Sequence, residues 1–226
     1  MLFSEKWYNE KLNVRPVRER RFPETEEIFM QRNTTVISPE QVQHQLELCR
    51  QVARLTAQWP QKPLAFVDTY GCQQNEADSE RLRGYLKEMG FGFTDSEEQA
   101  RVIVINTCAI REHAEQRVLG NLGALVHVKR RHPEQIICVC GCMAQEPHIA
   151  EKIRQSYRHV DLVFGPHMLW KFPEFLHTLL TSRGRIFQIP DEAGSIAEGI
   201  PVVRQDKVKA WVSIMYGCNN FCTYCI

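Results

Sequence analysis

The chain has 226 residues, 43% of them hydrophobic, nine cysteines and a formal net charge of +1. That apolar content can fill a core and excludes wholesale disorder, while the near-zero charge removes electrostatics as an argument for a nucleic-acid partner. No apolar run reaches the ~18 residues of a membrane span, and the N-terminus lacks the apolar centre of a secretory signal. Glu5, Glu10 and Glu19 also argue against a transit peptide. These features point to the cytoplasm and to no membrane partner. Thiols stay reduced there, and clustered cysteines, odd in number, point to metal binding or catalysis rather than disulfides.

Residues 1–35 are charged and aperiodic and read as a flexible arm. A helix and linker are expected over 36–62. Ser38-Pro39-Glu40-Gln41 supplies an N-cap, a proline at the first helical position and a capping-box partner. Val42, Leu46, Cys49 and Ala53 then recur at helical spacing, which carries the helix to about Gln58 and puts Cys49 on its apolar face as a small buried hydrophobe.

From 63 to 181 short apolar runs alternate with helical stripes. Leu64–Thr69, Val102–Asn106, Ile136–Val139 and Val160–Phe164 read as strands. Stripes around Leu82–Met89, Ala114–Val126 and Ile149–Ile153 lie between them, and a helix over Met168–Leu180, restarted at Pro173, closes the series. This order predicts an α/β fold built on an open parallel sheet. Residues 182–206, rich in glycine and proline, read as a linker. Val208, Ala210, Val212 and Ile214 alternate with Lys209, Trp211 and Ser213, a period-two strand that would deliver Gly217-Cys218.

Cys72, Cys108 and Cys142 each follow the end of an expected strand, in FVDTYGC, VIVINTC and IICVCGC. In a parallel α/β sheet the carboxyl ends of the strands share one edge, where ligands bind, so three cysteines distant in sequence would converge. Taken alone, the set reads equally well as three buried core thiols. Cys138 and Cys140 fall inside a strand and share a face, as packing residues do.

A second set stands at Cys218-x-x-x-Cys222-x-x-Cys225. Three thiolates can hold three irons of a cubane cluster and leave the fourth open to a substrate or cofactor. Thiolates also suit zinc, but structural zinc takes four protein ligands, and no histidine or fourth cysteine lies nearby in sequence. His113-Ala114-Glu115 imitates half of a zinc-deaminase signature, whose other half needs a proline where Phe221 stands. It reads as a solvated helix face. Lys129-Arg130-Arg131-His132 closes a helix, where positive charge is favoured, and reads as structural first and RNA-contacting second.

Three segments together, Thr69-Tyr70-Gly71-Cys72-Gln73-Gln74-Asn75 with Asp78-Ser79-Glu80, Asn106-Thr107-Cys108-Ala109-Ile110-Arg111-Glu112, and Gly141-Cys142-Met143-Ala144-Gln145, resemble the N-terminal domain of the radical S-adenosylmethionine methylthiotransferase family. The segment Ser213–Ile226, with Tyr224 before the last cysteine, resembles the start of that family's radical domain. The form around Cys108 is most similar to the tRNA-modifying branch.

The resemblance implies conversion of N6-isopentenyladenosine, at position 37 of tRNA, to its 2-methylthio derivative. It implies two 4Fe-4S clusters and S-adenosylmethionine, an electron donor such as flavodoxin or ferredoxin, a sulfur donor and a monomeric enzyme. Carried over by position, Cys218, Cys222 and Cys225 would hold the radical cluster, with Tyr224 near the cofactor's adenine. Cys72, Cys108 and Cys142 would hold the auxiliary cluster. No side chain is implied as a general acid or base.

The family continues into most of a (β/α) barrel and an RNA-binding domain. Residues 207–226 would supply only the first barrel strand and a loop, so the chain reads as an incomplete piece of the enzyme, inactive alone. Two other readings stay open: the sister reaction on an aspartate of a ribosomal protein, and a non-enzymatic metal-binding module.

Overall fold

The computed structural model describes residues 35–109, 112–182, 184–190, 194–214 and 223, without the side chains of 112–114. Residues 1–34 of the arm expected over 1–35, the cysteines at 218, 222 and 225, Tyr224 and the side chain of His113 lie outside the described residues.

Strand β1 (Thr35–Val36) leads into helix α1 (Pro39–Thr56). Ser38 caps α1 as expected. Its hydroxyl accepts from Gln41 N at 3.3 Å and its own amide donates to Gln41 Oε1 at 2.9 Å. The helix buries Val42, Gln45, Leu48, Cys49, Val52 and Thr56, so the apolar face is rotated slightly from the expected stripe and Leu46 is only half-buried. Cys49 sits fully in the core.

A parallel sheet of six strands follows, in the order β3 (Gly92–Phe93), β2 (Leu64–Tyr70), β4 (Val102–Thr107), β5 (Ile136–Gly141), β6 (Leu162–Phe164) and β7 (Ile186–Gln188). Its β-branched runs are buried on both faces, as a parallel sheet requires. Helices α2 (Gln73–Glu88) and α3 (Glu112–Arg131) follow β2 and β4, and α4 (Cys142–Gln145) and α5 (Pro147–Ser156) follow β5. A 3-10 turn (Pro166–Lys171) runs into α6 (Phe172–Thr181), the restart at Pro173 read from the sequence.

One face of the sheet, with Val104, Cys138, Cys140 and Phe164, packs under residues of α1, α2 and α6. The other, with Ile103, Ile105, Ile137 and Val139, packs under α3 and α5. Period two puts Cys138 and Cys140 on the same face, and both are buried packing residues, as expected. At the end of α3, Lys129 pairs with Asp161 at 2.8 Å and Arg131 with Glu98. That basic cluster is thus tied into the fold. No helix among the described residues is long and apolar enough to cross a membrane.

Two findings depart from the sequence reading after residue 181. The expected linker contributes β7 to the large sheet and β8 (Ser195–Ile196), which pairs in parallel with β1. The alternating run 208–214 forms no strand. A strand exists only where a neighbour completes its hydrogen-bond ladder. Without that ladder Val208 and Ile214 stand 97% and 90% exposed.

From β8 through this run the chain forms a strap across α2. Val203 N donates to Glu80 O at 3.0 Å, Arg204 reaches Glu80 at 3.8 Å, and Arg81 Nη2 donates to Ser213 Oγ at 2.9 Å. The backbone of Pro201 and Val202 lies directly on Gly84, where any Cβ would overlap it.

Candidate functional site

Strand β2 pairs with β3 on one side and β4 on the other, so the chain reverses direction across the sheet between β2 and β4. Such a reversal opens a crevice at the carboxyl ends of the strands, where α/β proteins bind ligands. Tyr70 pairs with Thr107, and Thr107 with Gly141. Cys108 and Cys142 are each the next residue after a paired position, and Cys72 comes two residues after Tyr70. Strand spacing puts the backbones of Thr107 and Gly141, the residues just before Cys108 and Cys142, about 5 Å apart. Cys108 N also donates to Tyr70 O at 2.9 Å, which ties it to the β2 side. The structure therefore brings Cys72, Cys108 and Cys142 to one edge. None of the described cysteines is in a disulfide.

Their surroundings differ. Cys108 is buried, Cys142 half-buried and Cys72 exposed. Burial raises the pKa of the Cys142 thiol most, and the negative charges available at Cys108, Cys72 and Asp78 raise it further. Cys142 thus feels both of the other thiols, as it would where all three share one edge. Two helices begin there: Cys72 is the N-cap of α2, and α4 starts at Cys142. The amino end of α2, four turns long, offers partial positive charge to anionic sulfur. Beside Cys72 a groove of about 750 Å³ opens between the start of α2 and the strap residues Lys209, Trp211 and Ser213.

The loops bearing these cysteines rest on buried polar side chains that sequence reasoning did not single out as functional. Asn75 Oδ1 accepts from Cys72 N at 3.0 Å, and Asn75 Nδ2 donates to Thr107 O at 3.0 Å. Asn106 Nδ2 donates to Asn75 O at 2.8 Å and Ser79 Oγ at 3.0 Å, and Ser79 meets Thr69 Oγ1 at 2.8 Å. Thr107 Oγ1 donates to Cys140 O at 2.6 Å, just ahead of Cys142. The signal available in the sequence was an asparagine closing an otherwise apolar strand, in VIVINT.

The glycines before Cys72 and Cys142 are explained here, differently from one another. Gly141 has φ +94, a left-handed value that other residues resist. Gly71 lacks a positive φ; it is glycine because the Asn75 amide occupies the space a Cβ would need. Asp78, one turn beyond Asn75, is buried with Arg81 at 3.2 Å and Gln74 at 3.1 Å.

The donor set decides what could be held. Among the described residues no three His, Cys, Asp or Glu side chains converge on a point for one metal ion. A mononuclear zinc site needs sulfurs about 2.3 Å from a single centre. An iron–sulfur cluster is bound by thiolates arrayed around a larger core, and three soft donors on adjacent loops fit that demand.

Residues 64–165, from the start of β2 to just past β6, match the family described as "Uncharacterized protein family UPF0004". This stretch is similar to a UPF0004 domain. All three edge cysteines fall inside it, and its open parallel sheet is the fold expected from the sequence. The resemblance read from the motifs is borne out by curated relatives. The chain is 44% identical over 199 residues to the tRNA-2-methylthio-N(6)-dimethylallyladenosine synthase of Acetivibrio thermocellus, covering 86% of this chain and 42% of that protein. The synthase of the same name from Alkaliphilus oremlandii is 45% identical over 195 residues, with 86% and 41% covered. That of Clostridium perfringens strain 13 is 48% identical over 165 residues, with 73% and 37% covered. The chain thus spans about two fifths of the length of these relatives.

Proposed function

We propose that this chain is part of a tRNA methylthiotransferase and that its UPF0004 domain carries that enzyme's auxiliary 4Fe-4S cluster on Cys72, Cys108 and Cys142. The observation that supports this most is the strand register: β2, β4 and β5 end side by side, and each end is followed within two residues by a cysteine. The relatives' names supply the reaction, methylthiolation of N6-isopentenyladenosine in tRNA.

In this reading Cys218, Cys222 and Cys225 hold a second 4Fe-4S cluster that binds S-adenosylmethionine, with Tyr224 beside the adenine. Together these groups supply one-electron cleavage chemistry, a methyl group and a sulfur atom for insertion. The work of the described residues is to bind and orient. Three thiolates leave one cluster iron without a protein ligand. The α2 amino terminus faces anionic sulfur, and burial of Cys108 with half-burial of Cys142 limits water at that side of the edge. The strap carries the chain back along α2 toward its amino end, so that Ser213 contacts Arg81 five residues ahead of Cys218. A tRNA substrate, a low-potential reductant such as flavodoxin or ferredoxin, a sulfur donor, a cytoplasmic location and a monomeric enzyme complete the proposal.

Anaerobic reconstitution with iron and sulfide tests the ligand assignment. Cys108→Ala is expected to remove about four irons per chain, and iron uptake unchanged by that substitution defeats it. Mass spectrometry of tRNA nucleosides from cells lacking the gene tests the substrate. Loss of the 2-methylthio derivative is expected, whereas intact tRNA with a ribosomal-protein aspartate left unmodified redirects the reading to the sister reaction.

A further inference from the structure

We propose that Asn75 and Asn106 form a reciprocal amide clasp that sets the spacing of the loops carrying Cys72 and Cys108, and are positioning residues of the three-cysteine edge; this rests on the cluster reading above. Each asparagine is 1% exposed. Asn75 uses its oxygen on Cys72 N at 3.0 Å, and its amide nitrogen on Thr107 O at 3.0 Å and Asn106 Oδ1 at 3.2 Å. Asn106 returns its amide nitrogen to Asn75 O at 2.8 Å and to Ser79 Oγ at 3.0 Å. Every donor on both amides is satisfied, and turning either amide over would set nitrogen against a donor, so the network fixes both orientations.

These bonds lie outside the strand ladders. They join the backbone amide of Cys72 to the carbonyl of the residue preceding Cys108, across the point where the sheet order reverses. The thiol of Cys72 also reaches Asn75 Oδ1 at 3.4 Å. Asn75 occupies the third position of α2, where a capping-box glutamate would accept the N-cap amide. It thus fixes a cysteine where such a residue ordinarily fixes a serine. On the far side, the Asn106 amide fills the space that a Cβ on Gly141 would enter, which brings the Cys142 loop into the same clasp. One pair of side chains therefore touches all three cysteine-bearing loops.

The test uses the full chain with Cys218, Cys222 and Cys225 changed to alanine, so that only the described edge can load. Asn75→Asp and Asn106→Asp keep size and shape but replace an N–H donor pair with oxygen facing acceptors. Iron and acid-labile sulfide are counted after anaerobic reconstitution, the electron paramagnetic resonance spectrum of the reduced protein is recorded, and folding is followed by circular dichroism. The expected result is a folded domain with at least a twofold loss of iron and a shifted spectrum. Wild-type iron and spectrum in both variants overturn the clasp, even if their thermal stability falls. If either aspartate variant fails to fold, Asn106→Ser, which is smaller and uncharged, decides by the same readings. Failure of the cluster reading is distinguishable, since the unsubstituted edge and its Cys108→Ala variant would then load iron equally.

Discussion

Gly84 lies three-quarters of the way along α2, where glycine normally costs a helix about 1 kcal/mol against alanine. On propensity alone, Gly84→Ala should stabilise the domain by that amount. Here the new Cβ would overlap the Pro201 carbonyl and stand 2.8 Å from Val202 N, and these are backbone atoms that cannot rotate aside. The strap must lift, which breaks the 3.0 Å bond from Val203 N to Glu80 O, a loss of about 1 kcal/mol. The two effects oppose, so global unfolding free energy is expected to shift by less than about 1 kcal/mol. Local opening of the strap should become easier by about 1–2 kcal/mol, which makes the Val203 amide exchange roughly tenfold faster. Native-state hydrogen exchange of the 200–207 peptide, read by mass spectrometry beside urea unfolding of the same protein, measures both. Unchanged exchange in that peptide refutes the reasoning, since it would mean that the strap does not rest on the helix.

Three further outcomes follow from the same geometry. Gly141→Ala forces a left-handed φ on a residue with a Cβ that also meets Thr107 and Asn106; a loss of about 2–3 kcal/mol is expected in urea unfolding. Arg185 donates to the carbonyls of Val160 at 2.8 Å, Arg154 at 2.9 Å and Tyr157 at 3.2 Å, closing the end of α5. Arg185→Lys, which cannot fork to several acceptors, should behave like Arg185→Ala, each raising exchange of the β7 amides. Asp78 has its pKa raised to about 6, chiefly by burial, against the opposing pull of Arg81 and Gln74. Its folded value lies above the unfolded one near 3.9. Its protonated form therefore supports the fold below about pH 4, and that support is lost as pH rises through 6. Asp78→Asn should improve relative to wild type by about 2–3 kcal/mol between pH 4 and pH 7, measured as the gap in urea unfolding free energy. An equal gap at both pH values defeats the assignment.

The sequence made the sheet and its cysteine edge readable because the apolar runs of β4, β5 and β6 are buried on both faces and that of β2 on one, and a parallel sheet turns such runs into adjacent strands. Ser38 announced α1 for an equally local reason, a side chain that caps three residues ahead. The parts that escaped depend on partners far away in the chain. β7 and β8 are strands of three and two residues whose existence rests on β6 and β1, and nothing within 182–206 encodes that pairing. Gly84 reads in isolation as a weak point in a helix, and only Pro201 gives it a reason. Asn106 reads as the polar end of a strand until Asn75, 31 residues earlier, is placed against it. The run 208–214 misled in the opposite sense, since alternation expresses compatibility with a sheet and supplies no neighbour.

The cysteines at 72, 108 and 142 are drawn from three separate strand–loop units, and the first and last are 70 residues apart. No short peptide from this chain contains the constellation, unlike knuckles whose donors sit within one turn. Whatever this rim captures must be captured by a finished sheet, after β2, β4 and β5 have found their order. On the proposed cluster reading, loading would follow folding, and an unloaded domain should already hold its shape.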